Sequence, residues 1–131
     1  MIEALQRAIA DDERLAYALV FGSTARGTSH AQSDLDVAVG SSDSRPLPTL
    51  VLGDIAALLE SASGRSVDVV GLDGASPALA YRVFRDGRVI LERDRRRLVA
   101  ARAKAVLEYL DFQPIEEQCA RGVLAALTRG R

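Results

Sequence analysis

Two stretches decide the fold: Val20-Phe21-Gly22-Ser23-Thr24-Ala25-Arg26-Gly27 and, a short connector later, Ser33-Asp34-Leu35-Asp36-Val37-Ala38-Val39. The first closes an apolar run with a small turn, and the second opens a strand with two carboxylates in alternation. Side chains i and i+2 of a strand leave the same face, about 7 Å apart over two rises of about 3.3 Å. Asp34 and Asp36 therefore point together while Leu35 turns into the core. Like charges so placed repel, and both stay ionised cheaply when a cation lies between them. Magnesium, a hard ion that seeks carboxylate oxygen, is the natural choice.

Working outward, Tyr17-Ala18-Leu19-Val20-Phe21 is a continuous apolar run, the pattern of a strand buried on both faces. Upstream, Ile2, Leu5 and Ile9 recur at helical spacing until Asp11-Asp12-Glu13 breaks the pattern. Residues 22 to 28 permit no more than a helical turn, and the second strand, about Asp34 to Val39, closes at Gly40-Ser41-Ser42. A loop at Asp43-Ser44-Arg45-Pro46-Leu47-Pro48 leads to a helix with Leu50, Val51, Asp54, Ile55, Leu58 and Leu59 on one face. Ser63-Gly64 stops it, and Ser66-Val67-Asp68-Val69-Val70 makes a third strand with a lone acid at its centre.

Ser76-Pro77 caps and opens a helix that runs to Arg85 and stops at Gly87; Arg88 to Glu92 is a short edge strand. A longer helix from about Asp94 to Leu110 carries Val99, Ala103, Val106, Leu107 and Leu110 as its expected buried stripe. Pro114 opens a last helix with Ile115, Cys119, Val123 and Leu127 on one side. The 131 residues show no repeat and no linker, so a single domain over 1–131 is expected, with a core of about 1–92 and C-terminal helices over about 93–131.

Hydrophobic content of 48% and charged content of 27% are ordinary for a globular chain. A net charge of -1 argues against a general nucleic-acid binder, although arginines crowd residues 93–97. The single cysteine excludes an intrachain disulfide and a cysteine-rich zinc site. With no membrane-spanning run and no secretory pattern at Met1 to Arg7, the expected location is the cytoplasm.

The chemistry lies in the combination. Gly22 lets backbone N–H groups approach an anion, and Ser23 adds a hydroxyl donor. Asp34 and Asp36 are placed to hold a metal that neutralises charge on the same phosphates. Asp68 is the third carboxylate, as metal ligand or as base. Taken singly, a Gly-Ser pair is usually a turn, the two acids have a reading as solvated strand-opening residues, and Asp68 has one as an acid facing water. Together they fall on consecutive strands of one small sheet. Arg26 is read either as a phosphate or substrate contact or as a brace for the turn. Arg82 and Arg85 are both within sequence reach of a triphosphate, since no lysine lies near the motif. His30 reads as a loop residue and Cys119 as a packed core thiol.

Gly22-Ser23, ten residues, then Asp34-Leu35-Asp36, with Asp68 downstream, resembles the signature of the polymerase-beta-like nucleotidyltransferases. The fuller Gly22-Ser23-Thr24-Ala25-Arg26-Gly27 with Ser33-Asp34-Leu35-Asp36 resembles their minimal nucleotidyltransferase (MNT) branch. Ala75-Ser76-Pro77-Ala78-Leu79-Ala80-Tyr81, Gly87-Arg88-Val89-Ile90, Glu92-Arg93-Asp94 and Tyr109-Leu110-Asp111-Phe112 are similar to the later part of MNT antitoxins that pair with HEPN-domain ribonuclease toxins. The resemblance implies an α/β (α+β) fold: one small mixed sheet flanked by helices, with a helical C-terminus. It implies Mg2+ and ATP in a cleft, with Asp34, Asp36 and Asp68 as metal ligands and catalytic carboxylates and Gly22, Ser23 and Arg26 on the triphosphate. The implied reaction is transfer of AMP from ATP to a tyrosine hydroxyl of the HEPN toxin. Two other readings stay open: a nucleotidyltransferase acting on a small-molecule hydroxyl, and an antitoxin that inhibits by occlusion with a residual site. The first usually needs a further helical domain for its acceptor pocket.

Overall fold

The computed structural model describes residues 1–22 and 34–111. The positions expected at Ser23, Arg26, His30 and Cys119, and the helix expected from Pro114, lie outside the described residues. Four strands, β1 (Leu15–Phe21), β2 (Leu35–Ser41), β3 (Val67–Gly71) and β4 (Arg88–Glu92), form one sheet in the order β3-β2-β1-β4. β1 runs antiparallel to both β2 and β4, whereas β2 and β3 are parallel. A parallel pair requires a crossover, and α2 (Thr49–Ser63) supplies it. α1 (Ile2–Ile9) and α2 cover one face of the sheet, with Leu5, Ile9, Ile55 and Leu59 fully buried on Ala18, Val20, Val37 and Val39. Burying four such side chains stabilises the fold by about 6–12 kcal/mol before entropy is counted.

The opposite face is built in cross-strand columns. Phe21 faces Asp36, Leu19 faces Ala38 and Tyr17 faces Gly40. α3 (Pro77–Asp86) and α4 (residues 95–111) cover it through Val83 and Leu98. The Ser76 hydroxyl accepts the Leu79 N–H at 3.3 Å, and Pro77 follows as the first helical residue, which sets the phase of α3. The Tyr17 ring covers Gly40, where a Cβ would come within 2.1 Å of the ring. Burial pushes the Tyr17 phenol up to about 12, with Asp73 adding to the effect and Arg97 opposing it.

Among the described residues the expected elements are present, and β4 is indeed an edge strand. Two helix faces differ from expectation. On α2, Leu50 is 85% exposed and Leu58 is also open to solvent, while Ile55 and Leu59 carry the buried face. On α4 the expected stripe points away from the sheet: Val99, Leu107 and Leu110 are exposed, and Leu98 and Ala105 are buried instead. The sheet face under α4 already holds Tyr17 and Phe21, with Phe84 of α3 packed beside them. Small side chains at 101 and 105 let the helix approach these rings, whereas Leu107 on that side would overfill the space.

Candidate active site

The site forms where β1 ends and β2 and β3 begin. Gly22 follows β1 at φ +77°, and a Cβ added there would lie 2.7 Å from Asp36 Oδ2. Only glycine meets both demands, a left-handed backbone and close approach to a carboxylate. Asp36 is the one residue of β2 that is not fully buried. The parallel register sets it directly beside Asp68. Two contacts lock that register at the strand starts: Leu35 N–H donates to Ser66 O at 2.9 Å, and Val67 N–H donates to Glu60 Oε2 at 3.0 Å. Asp34, exposed, precedes β2 by one residue, and Asp68 is exposed on the edge strand β3.

The electrostatics match this crowding. Burial raises the Asp36 carboxyl above its usual value; Asp68 and, more weakly, Asp34 push it the same way, and Arg82 pulls against them. None of the three acids makes a hydrogen bond or ion pair with a described residue. Among the described residues no three His, Cys, Asp or Glu side chains converge as an all-protein ion site. Magnesium is typically held by one or two carboxylates completed by substrate phosphates, not by a full protein cage. Unpaired hard oxygen donors at Asp34 and Asp36, with Asp68 alongside, fit that requirement.

A cavity of about 320 Å³ lies farther along the same face, between α3 and α4, lined by Tyr17, Asp73, Phe84, Arg97, Lys104 and Glu108. Its charges are already matched, Arg97 with Asp73 at 3.4 Å and Lys104 with Glu108 at 3.7 Å. Tyr17 stands four residues before Phe21 on β1, so this cavity is separate from the three acids.

Sequence reasoning left Arg82 and Arg85 equivalent, and the structure separates them. Arg85 binds Asp86, Nη2 to Oδ2 at 2.9 Å, whereas Arg82 lies over the Phe21 ring at 5.8 Å beside the site. The missing signal was helical phase: Arg82 neighbours buried Val83 on the face toward β1, and only packing reveals which arginine that face presents.

The mixed sheet brings a left-handed glycine and the Asp36–Asp68 pair, with Asp34 one residue before β2, to one end of adjoining strands. The family model described as polymerase beta, nucleotidyltransferase matches residues 3–96, and the chain belongs to that family. It is similar to the protein adenylyltransferase MntA of Shewanella oneidensis, 36% identical over 75 residues, which is 57% of this chain and about half (52%) of that relative's length. Among solved structures it superposes on a chain of a toxin-antitoxin crystal structure with AMP-PNP, with a TM-score of 0.76 and 26% identity over 94% of this chain and 98% of that one. It also shares its fold with a chain in the structure of a tri-AMPylated Shewanella oneidensis HEPN toxin in complex with MNT antitoxin. There the TM-score is 0.69 at 23% identity, covering 95% of this chain and 99% of that one. Among the described residues no helix is long and apolar enough to cross a membrane.

Proposed function

We propose that this chain is the antitoxin of a HEPN/MNT pair and acts as a protein adenylyltransferase, moving AMP from ATP to a tyrosine hydroxyl of its HEPN partner in the cytoplasm. The observation that carries this reading is the cluster of unpaired acids, Asp36 in register with Asp68 and preceded by Asp34, beside Gly22. The likeness to a curated protein adenylyltransferase and to a toxin-antitoxin structure with AMP-PNP supports it.

Gly22, Ser23 and Arg26 are the residues that would contact the triphosphate, glycine because it leaves backbone N–H groups accessible to an anion. Asp34 and Asp36 are the ligands for Mg2+, which when bound supplies positive charge to the phosphates and the departing pyrophosphate. Asp68, open to solvent beside Asp36, serves as third ligand or takes the proton of the attacking hydroxyl. The tyrosine oxygen forms a bond to the α-phosphorus, the bond to pyrophosphate breaks, and no nucleophile of this chain is consumed. The domain is read as one unit over 1–131 whose acceptor arrives on another protein.

Incubation with ATP, Mg2+ and the cognate HEPN protein, followed by intact mass measurement of the partner, tests this reading. A gain of one or more AMP units is expected. A tight complex with no mass change would replace transfer by occlusion, and transfer to a small hydroxyl compound alone would remove the protein acceptor.

A further inference from the structure

We infer that Arg82 is a polyphosphate-binding residue of this site, contributed by α3 to the same substrate that the Gly22 turn cradles; the assignment rests on the nucleotidyltransferase reading above. Its place follows from packing. Ser76 and Pro77 start α3 in a fixed phase, fully buried Val83 anchors the helix on the sheet, and Tyr81 stacks on Tyr109 of α4 with centroids 3.9 Å apart. The guanidinium of Arg82 then rests over the Phe21 ring, 5.8 Å from its centroid. Phe21 is the residue before Gly22 and the cross-strand neighbour of Asp36. An arginine held by an aromatic face keeps its five N–H donors available in a planar fork, the geometry that matches phosphate oxygens.

Arg82 differs from several other arginines in its surroundings. Arg14, Arg85 and Arg97 each have a carboxylate partner, at 2.7, 2.9 and 3.4 Å. Arg82 is exposed and makes no hydrogen bond or ion pair with a described residue, although three acids lie on the neighbouring strand ends. A cation beside unpaired carboxylates that it does not close on suits a ligand that carries both a metal and several anionic oxygens. A metal-bound nucleoside triphosphate meets that description. The single phosphate of AMP satisfies it poorly, because fewer oxygens remain for Arg82 after the cradle and the metal are served.

Calorimetric binding of AMP-PNP and of AMP, both with Mg2+, to the full chain and to Arg82→Ala, Arg82→Lys and Arg85→Ala separates the possibilities. Loss of one charge-assisted phosphate contact should weaken AMP-PNP binding by about tenfold or more in Arg82→Ala, with AMP changed by less than about threefold. Lysine should restore part of the loss, and Arg85→Ala should bind as the wild type does. An unchanged AMP-PNP affinity in Arg82→Ala, or equal losses for AMP and AMP-PNP, would overturn the assignment while leaving the nucleotide reading in place. A wild-type chain that binds no AMP-PNP would overturn both. Arg82 is exposed, so thermal unfolding of the variants should match the wild type; were the alanine variant unfolded, Arg82→Gln provides the same test.

Discussion

The two ends of the sheet treat their acids in opposite ways. At the end where β2 and β3 finish, Asp73 accepts the Ser41 N–H at 2.7 Å and meets Arg97 at 3.4 Å. Just before β1, Asp12 is gripped by Arg14 at 2.9 and 2.7 Å, and those hydrogen bonds hold its carboxyl below the usual range. At the end where β2 and β3 begin, Asp34, Asp36 and Asp68 gather with no such partner, and Asp36 is pushed up instead. A paired acid stabilises the fold, while a cluster of unpaired acids weakens it and persists for a ligand that supplies the missing charge. On the proposed reading, the contrast matches structure at one end with chemistry at the other.

The largest effect should come from removing charge at the unpaired end. Asp34→Asn or Asp36→Asn should lower AMP transfer on the order of a thousandfold, measured as initial rate at saturating ATP and Mg2+, with the circular dichroism spectrum unchanged. Gly22→Ala should come next. Its methyl meets Asp36 Oδ2 at 2.7 Å on a left-handed backbone, so a transfer rate down by roughly a hundredfold is expected. A rate near wild type would show that the turn tolerates a side chain and that Gly22 has no special role.

At the paired end the sign changes currency. Asp73→Ala should strip a charge-assisted hydrogen bond from a buried strand end, for about 1–3 kcal/mol and a fall in Tm of roughly 5 °C, with transfer by the folded protein retained. Loss of transfer at full stability would erase the contrast between the ends.

The smallest effect concerns pH. A carboxyl raised in the folded state binds its proton more tightly there than in the unfolded chain. It therefore stabilises the fold in acid, and that contribution is lost as pH rises through the raised value. In the absence of divalent ions, Asp36→Asn should unfold at a slightly higher temperature than wild type near neutral pH, and the gap should narrow toward pH 4. A variant less stable than wild type at pH 7 would mean that Asp36 is satisfied in the fold after all.

Much of this was legible in the sequence. The apolar run of β1, the Gly64 and Gly87 stops and the Ser76-Pro77 start each have a local cause, and each fell where local chemistry placed it. Alternation in Asp34-Leu35-Asp36 gave the facing of the acids, but their company with Asp68 depended on strand order, which no local pattern encodes. Helix phase was the weak point. α4 carries two apolar stripes, and the bulkier one is the natural choice until the rings of Tyr17, Phe21 and Phe84 are seen to favour the smaller. The same uncertainty of phase left Arg82 and Arg85 indistinguishable until α3 was seen packed on β1.

The distinction between the ends is tested most directly by binding of Mn2+, a paramagnetic substitute for Mg2+, followed by electron paramagnetic resonance in the presence of AMP-PNP. Wild type and Asp73→Asn should bind the Mn2+–AMP-PNP complex alike, and Asp36→Asn should leave that complex free in solution. Retention of the ion by Asp36→Asn, or its loss from a folded Asp73→Asn, would contradict the assignment of the unpaired acids to the metal and nucleotide.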